Sequence, residues 1–245
     1  GSGQSSGSTI NPSAGADTAG VGVRLVKTYP TLERLSVSSN TLANGEMVLY
    51  RFKVTADAAD DLGLARVTFR VSSTTVATTS LFKLYAYSDS GFSTNAYAQN
   101  PVHSRNIDEV GENVWNGDEG TVADSEIVFY FNPVANSNPG ASLLTHEAIN
   151  VPAGASRYFE LRGTVASATA GDSIAVALLG DASFASNTNL VNRQTADAVD
   201  GATHDDFIWS PNTTTTSATT TNDWLSGFQV PGLPSVEMTQ QNFTK

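Results

Sequence analysis

The chain has 245 residues, 40% of them hydrophobic, and sets 13 Lys and Arg against 24 Asp and Glu for a formal charge of −11. Cations this few and scattered exclude a nucleic-acid partner, because polyanion affinity comes from counterions released by clustered Lys and Arg. The absence of Cys excludes disulfide scaffolds, thiolate metal sites and thiol nucleophiles, and no apolar run reaches the ~18 residues that membrane insertion as a helix needs.

Charged residues are 15% of the chain, below the ~25% of an ordinary soluble domain. An acidic composition rich in Ser and Thr reads as an extracellular, cell-surface protein. Without cross-links it must be held by its core, and a chain of this length buries roughly 70% of its surface or more.

Residues 1–20, mostly Gly, Ser, Ala and Thr, read as a flexible leader. From Val21 the apolar residues recur with period two, the strand signal. Strands are expected at Val21–Lys27, Leu32–Ser38, Met47–Ala56, Leu64–Val71, Leu81–Ser88, Glu126–Phe131, Glu147–Val151, Arg157–Val165, Ser173–Leu179 and Phe207–Ser210. In the third, Val48, Tyr50, Phe52 and Val54 face inward and Leu49, Arg51, Lys53 and Thr55 outward. In the fourth, Val67, Phe69 and Val71 face inward and Arg66, Thr68 and Arg70 outward.

Turns at Ala43-Asn44-Gly45, Asp61-Leu62-Gly63, Pro152-Ala153-Gly154 and Ala170-Gly171-Asp172 supply the Gly or Asn that chain reversal requires. About ten short strands so separated predict an all-β fold, an antiparallel immunoglobulin-like β-sandwich over residues 21–229 with two long loops. Asn44-Gly45 followed by Leu49-Tyr50-Arg51-Phe52-Lys53 parallels Ala153-Gly154 followed by Tyr158-Phe159-Glu160-Leu161-Arg162. A duplication giving two fused sandwiches, with a boundary near 132–144, explains this likeness, and so does a shared strand grammar.

The long stretches Asp89–Asp124 and Asp181–Asp206 lack periodicity, and loops of that length are usually functional. Asp108, Glu109, Glu112, Asp118 and Glu119 in the first make it a candidate calcium site, since Ca²⁺ takes about six to eight hard oxygens, although no Asp-x-Asp-x-Asp-Gly loop is present. The second holds Asp197, Asp200, Asp205 and Asp206. His103, His146 and His204 share no metal-ligand spacing, and there is no nucleophile elbow, phosphate loop or dinucleotide fingerprint. Trp115, Trp209 and Trp224, with Tyr85, Tyr87, Phe92 and Tyr97, could build a sugar-stacking platform, with Trp115 the candidate glycan contact. The tail, Val230–Lys245, is expected to dock in a strand-like manner. Its Pro231, Gly232 and Pro234 stiffen the entry, and Leu233, Val236, Met238 and Phe243 are more apolar than a solvated tail carries.

Arg157-Tyr158-Phe159-Glu160-Leu161-Arg162, Asp206-Phe207-Ile208-Trp209-Ser210-Pro211-Asn212, Asn222-Asp223-Trp224-Leu225-Ser226-Gly227, Val230-Pro231-Gly232-Leu233-Pro234 and the terminal Lys245 together resemble the C-terminal module of large secreted, S-layer-like surface proteins of bacterial candidate phyla. The resemblance implies a structural role and no catalytic residues. The expected function is a non-enzymatic subunit of a surface lattice or filament. It would assemble as a homo-oligomer or polymer by strand or tail exchange through Val21, Val23, Leu25, Leu233 and Phe243, without a cofactor unless calcium. An adhesin or glycan-binding module using the long loops is the alternative.

Overall fold

The computed structural model describes residues 26–74, 77–97, 103–105, 125–130, 149–182, 206–211 and 225–245. Among these residues there are twelve strands and no helix: β1 (Pro30–Leu35), β2 (Gly45–Ala56), β3 (Leu62–Ser73), β4 (Thr78–Tyr87), β5 (His103–Arg105), β6 (Ser125–Tyr130), β7 (Ile149–Val151), β8 (Ser156–Ala166), β9 (Ser173–Leu178), β10 (Phe207–Ser210), β11 (Leu225–Ser226) and β12 (Gln241–Thr244). The short β5 and β11 are additions to the strands expected from the sequence, and β12 lies in the tail expected to dock in a strand-like manner. Val26 and Lys27 are not in a strand, and the rest of the strand expected at Val21–Lys27 lies outside the described residues.

Two antiparallel sheets face each other across one core, a β-sandwich arrangement. The first runs β1-β2-β8-β4-β5 and the second β11-β10-β3-β9-β12, with β6 and β7 also on β3. The register shows how β3 serves so many partners. Its 12 residues meet β9 and then β10 end to end along one edge, and β6 and then β7 along the other. Both sheets mix strands from before and after residues 132–144, a segment outside the described residues. The two look-alike segments are β2 and β8, adjacent strands of one sheet, and each feeds aromatic and aliphatic side chains into the same core.

That core is aromatic at its centre. Phe52 of β2 stacks on Phe159 of β8 at 4.8 Å, and Phe69 of the opposite sheet meets Tyr50, Phe52 and Phe129 edge-on at 5.8–5.9 Å. Such pairs add ~0.5–1.5 kcal/mol to the burial of each ring. Two inward–outward assignments are corrected here. The register shifts between Val48 and Tyr50, so Leu49 is a bulge residue that turns inward and is buried, while Val48 is only half-buried. The bulge depends on Gly163 of β8, where an added Cβ would stand 2.7 Å from Leu49 Cδ1. Arg66 and Thr68, expected in water, are buried, because β3 is covered on both faces.

The tail closes one side of the sandwich. Pro231 O accepts from Leu32 N at 2.8 Å, Met238 N donates to Leu178 O at 2.8 Å, and Gly180 N donates to Val236 O at 2.9 Å. β12 then pairs with β9, while Leu42 N donates to Thr244 O at 2.8 Å. Gly232 has φ 83°, and a Cβ there would collide with Leu32 O. Only glycine fits between the tail and β1 in that conformation. Thus the tail blocks the free edge of β1, whose Pro30 already lacks an N–H. Residue 26 enters beside the β2–β3 turn, where Lys27 meets Asp60, and Lys245 ends beside Asp172. These are opposite ends of β2, whose 12 residues span roughly 37 Å at ~3.4 Å per residue.

Candidate functional site

The outer face of the five-stranded sheet should be wet by pattern alone. The register instead assembles an ordered network on it. Leu35, Arg51, Glu160 and Tyr85 form one row across β1, β2, β8 and β4, and Glu33, Lys53, Tyr158 and Tyr87 form the next. Lys83 lies opposite Arg162. Adjacent outward side chains on neighbouring strands stand within reach of one another, and here opposite charges and rings alternate.

Glu160 is the hub, 1% exposed in its side chain. Its Oε2 accepts from Arg51 Nε at 2.7 Å and Nη2 at 2.5 Å. Its Oε1 accepts from Arg162 Nε and Nη2, both at 2.6 Å. Two forks on one carboxylate fulfil the condition under which a buried charge is tolerated. Burial alone would make the Arg162 guanidinium easier to deprotonate, but Glu160 outweighs it and raises its pKa. Glu46 reaches Arg162 at 3.7 Å and Lys83 at 2.9 Å, and the Lys83 hydrogen bond holds its carboxyl below the ordinary range. Lys53 pairs with Glu33.

The rings lie among these guanidinium groups. Arg162 sits over Tyr85 at 4.4 Å and Arg51 over Phe92 at 4.1 Å. Tyr85 stacks on Tyr87 at 6.3 Å, and Phe92 meets Tyr87 and Tyr158 edge-on at 5.6 and 6.2 Å. Phe92 is placed by a tight turn in which the Asp89 carboxylate accepts from Gly91 N, Ser93 N, Ser93 Oγ and Thr94 N. The Thr94 bond leads in lowering the Asp89 pKa. The turn forces Phe92 to φ 55°, a left-handed conformation that a bulky residue adopts at a cost of roughly 1–3 kcal/mol.

The structure therefore unites three aromatics of the sequence-derived platform, Tyr85, Tyr87 and Phe92, but with guanidinium groups over the rings of Tyr85 and Phe92 and with Tyr87 buried. Tyr97 stands apart, donating to Asn150 O at 2.8 Å, and burial pushes its pKa up to about 12. Trp209 is buried and donates to Ser226 O at 3.0 Å. Trp115, Trp224, the acidic residues Asp108, Glu109, Glu112, Asp118 and Glu119, and Val21, Val23 and Leu25 lie outside the described residues, as do His146 and His204. Among the described residues no group of three His, Asp or Glu is placed to hold a metal ion.

Leu233 and Phe243 are buried in the core of their own chain. Around them, Tyr50 Oη donates to Thr239 O at 3.0 Å and Arg34 Nη2 to Gln241 Oε1 at 2.5 Å. Burial pushes the Tyr50 pKa up to about 12, so the phenol stays a donor at any physiological pH. Asp181, also fully buried, accepts from Asp206 N at 2.8 Å, Phe207 N at 3.3 Å and Gly227 N at 2.5 Å. It ties together the chain on either side of both segments around it, 183–205 and 212–224.

Sequence reasoning missed the Arg51–Glu160–Arg162 network. A signal was present: the look-alike segments carry opposite charges, Arg51 and Glu160, at the same offset from Gly45 and Gly154. No family model matches the chain, and no curated protein matches it.

Proposed function

We propose that the protein is a non-enzymatic structural module of an extracellular surface assembly, a lattice or filament whose copies join by exchange of the C-terminal tail. The observation that carries this reading is the tail itself. It holds a full set of sandwich contacts, with Leu233, Met238 and Phe243 in the core and β12 on β9, all made by one contiguous segment after β11. The same tail from a neighbouring copy would make the same contacts, which is the condition for exchange at low cost. The strand grammar supports an immunoglobulin-like ancestry for the sandwich, and the resemblance to S-layer-like modules supports the surface location.

The described carboxylates agree with a structural role. Glu160, Asp181, Asp61 and Asp89 each spend their oxygens on donors of the fold, Asp61 on Asn150 Nδ2 at 3.0 Å and Ala153 N at 2.7 Å. Sedimentation velocity over a concentration series, with electron microscopy of the heaviest fraction, tests the reading. Ordered polymers that grow with concentration are expected, and a monomer at every concentration refutes it.

A further inference from the structure

We propose that the turn Gly227-Phe228-Gln229-Val230 is the hinge of the tail, a strained joint whose opening sets how readily copies exchange. The inference rests on the exchange reading above and adds the element that regulates it.

The geometry divides the chain here into a fixed part and a docked part. Gly227 belongs to the body. Its N–H donates to the buried Asp181 Oδ2 at 2.5 Å, and a Cβ on it would stand 2.8 Å from that oxygen and 2.9 Å from Phe207 Cβ. From Val230 onward the chain belongs to the tail. Val230, Leu233, Met238 and Phe243 lie in the core, and Leu32 N donates to Pro231 O at 2.8 Å. Only Phe228 and Gln229 lie between the two parts.

Two turns follow one another across this boundary, and their chemistry differs. In each, one backbone bond closes four residues, Val230 N to Gly227 O at 3.1 Å and Leu233 N to Val230 O at 3.0 Å. In each, the third residue alone has positive φ, Gln229 at 60° and Gly232 at 83°. That is the type II turn, which asks for Gly at its third position and favours Pro at its second. Pro231-Gly232 meets both demands, whereas Phe228-Gln229 meets neither, and Gln229 carries a Cβ into the left-handed region. Phe92 is left-handed too, but four hydrogen bonds to Asp89 hold its turn. Gln229 is exposed, and its side chain makes no hydrogen bond among the described residues. Its conformation is therefore imposed by the docking of the tail on its own sandwich.

A tail given to a neighbouring copy makes the same groove contacts there, so those contacts cancel between the closed chain and the exchanged copies. The joint does not cancel. Opening lets Gln229 return to an ordinary φ, and a short hinge under strain favours exchange. Extended, the four steps from Gly227 to Pro231 reach roughly 13–14 Å. The receiving β1 must lie within that distance of the donor's Gly227, which keeps neighbouring copies close together.

The test compares the full chain with Gln229→Gly, Gln229→Pro and Ser167→Gly by sedimentation velocity over a concentration series, with thermal melting as a check on folding. Glycine takes positive φ without strain, so Gln229→Gly favours the closed chain and should weaken association about tenfold. Proline holds φ near −65° and forbids the closed turn, so Gln229→Pro should strengthen association at least about tenfold. Ser167, between β8 and β9 with φ 58°, is the control. Relieving strain there acts on the closed and exchanged states alike, and association should stay within about twofold of the parent. If the parent associates and Gln229→Gly associates equally well, or Ser167→Gly weakens association as much, or a folded Gln229→Pro associates no more strongly, the turn is not the hinge and the assembly reading stands without it. Should Gln229→Pro not fold, the two glycine variants decide. If the parent is a monomer at every concentration, the assembly reading falls, and the hinge falls with it unless Gln229→Pro associates.

Discussion

Replacing Glu160 with Gln removes one negative charge and little else. The side chain keeps its shape, its 1% exposure and one oxygen acceptor. The two guanidinium groups, about one-fifth and one-third exposed, would then share a buried neutral amide whose NH2 points a donor at a donor. Breaking a buried ion pair from one side costs ~3–5 kcal/mol, and the partial exposure of both arginines places this variant near the lower end. For a chain of this size ~1 kcal/mol moves Tm by about 2–4 °C, so a loss of roughly 6–12 °C is expected in a thermal melt. Glu33→Gln is the control. It removes the same charge from an ion pair with Lys53 whose carboxylate is 57% exposed, and exposed pairs are worth ~0–1 kcal/mol. Added salt should narrow the Glu33→Gln difference and leave the Glu160→Gln difference nearly unchanged, since screening acts on exposed charges. Equal losses for the two variants would refute the claim that the network holds the sheet.

Gly163→Ala should lower stability by ~1–3 kcal/mol in a denaturant titration, because the new methyl meets Leu49 and the Phe82 ring, 2.7 and 3.1 Å away, in a packed core; a neutral result would mean the Leu49 bulge can relax. Asp181→Asn should cost ~2–4 kcal/mol by the same measurement, since it turns one acceptor of buried backbone amides into a competing donor. The pH profile follows from carboxyls held below their ordinary range: Glu46 by Lys83, Asp61 by Asn150 and Asp89 by the Thr94 amide. Their contribution is complete above the unfolded values, near 4.5 for Glu and 3.8 for Asp, and is lost as pH falls through the lower folded values. Melting temperature should therefore hold from neutrality to about pH 5 and fall below about pH 4, and Asp89→Ala should flatten that acid limb.

The long strands were legible because each exposes one face to the core over many residues. β2, β3 and β8 show the period in their sequences, whereas β10, buried at all four residues, was legible as the apolar run Phe207–Trp209. β5, β11 and β12 hold three, two and four residues, too few for a period to register. β12 was nonetheless foreshadowed by the apolar load around Phe243. Leu49 was misassigned because its bulge depends on a glycine in another strand, and Arg66 because burial of both faces of β3 is a property of the assembled sheet. The network had the same difficulty. Arg51 and Glu160 are 109 positions apart, and only the register of β2 against β8 puts them side by side. Phe92 was read as part of a long irregular loop, although Asp89 followed by Gly91 is the signature of the turn that pins it.

Tail exchange can be read from a single covalent bond. Ser173 and Thr244 are register partners between β9 and β12. Thr244 N donates away from β9, to Asn40 O, so the two form a non-hydrogen-bonded pair, with Cα atoms about 4.5 Å apart, close enough for a disulfide. The chain has no cysteine of its own, and a Ser173→Cys, Thr244→Cys variant reports that pair alone. Oxidised as a dilute monomer, it should run as one chain on a non-reducing gel, fail to polymerise, and recover polymerisation on reduction. Oxidised after assembly, it should give a ladder of covalently joined chains. A variant that polymerises like the parent while locked, or that yields only single chains when oxidised in the polymer, would contradict exchange of the tail between copies.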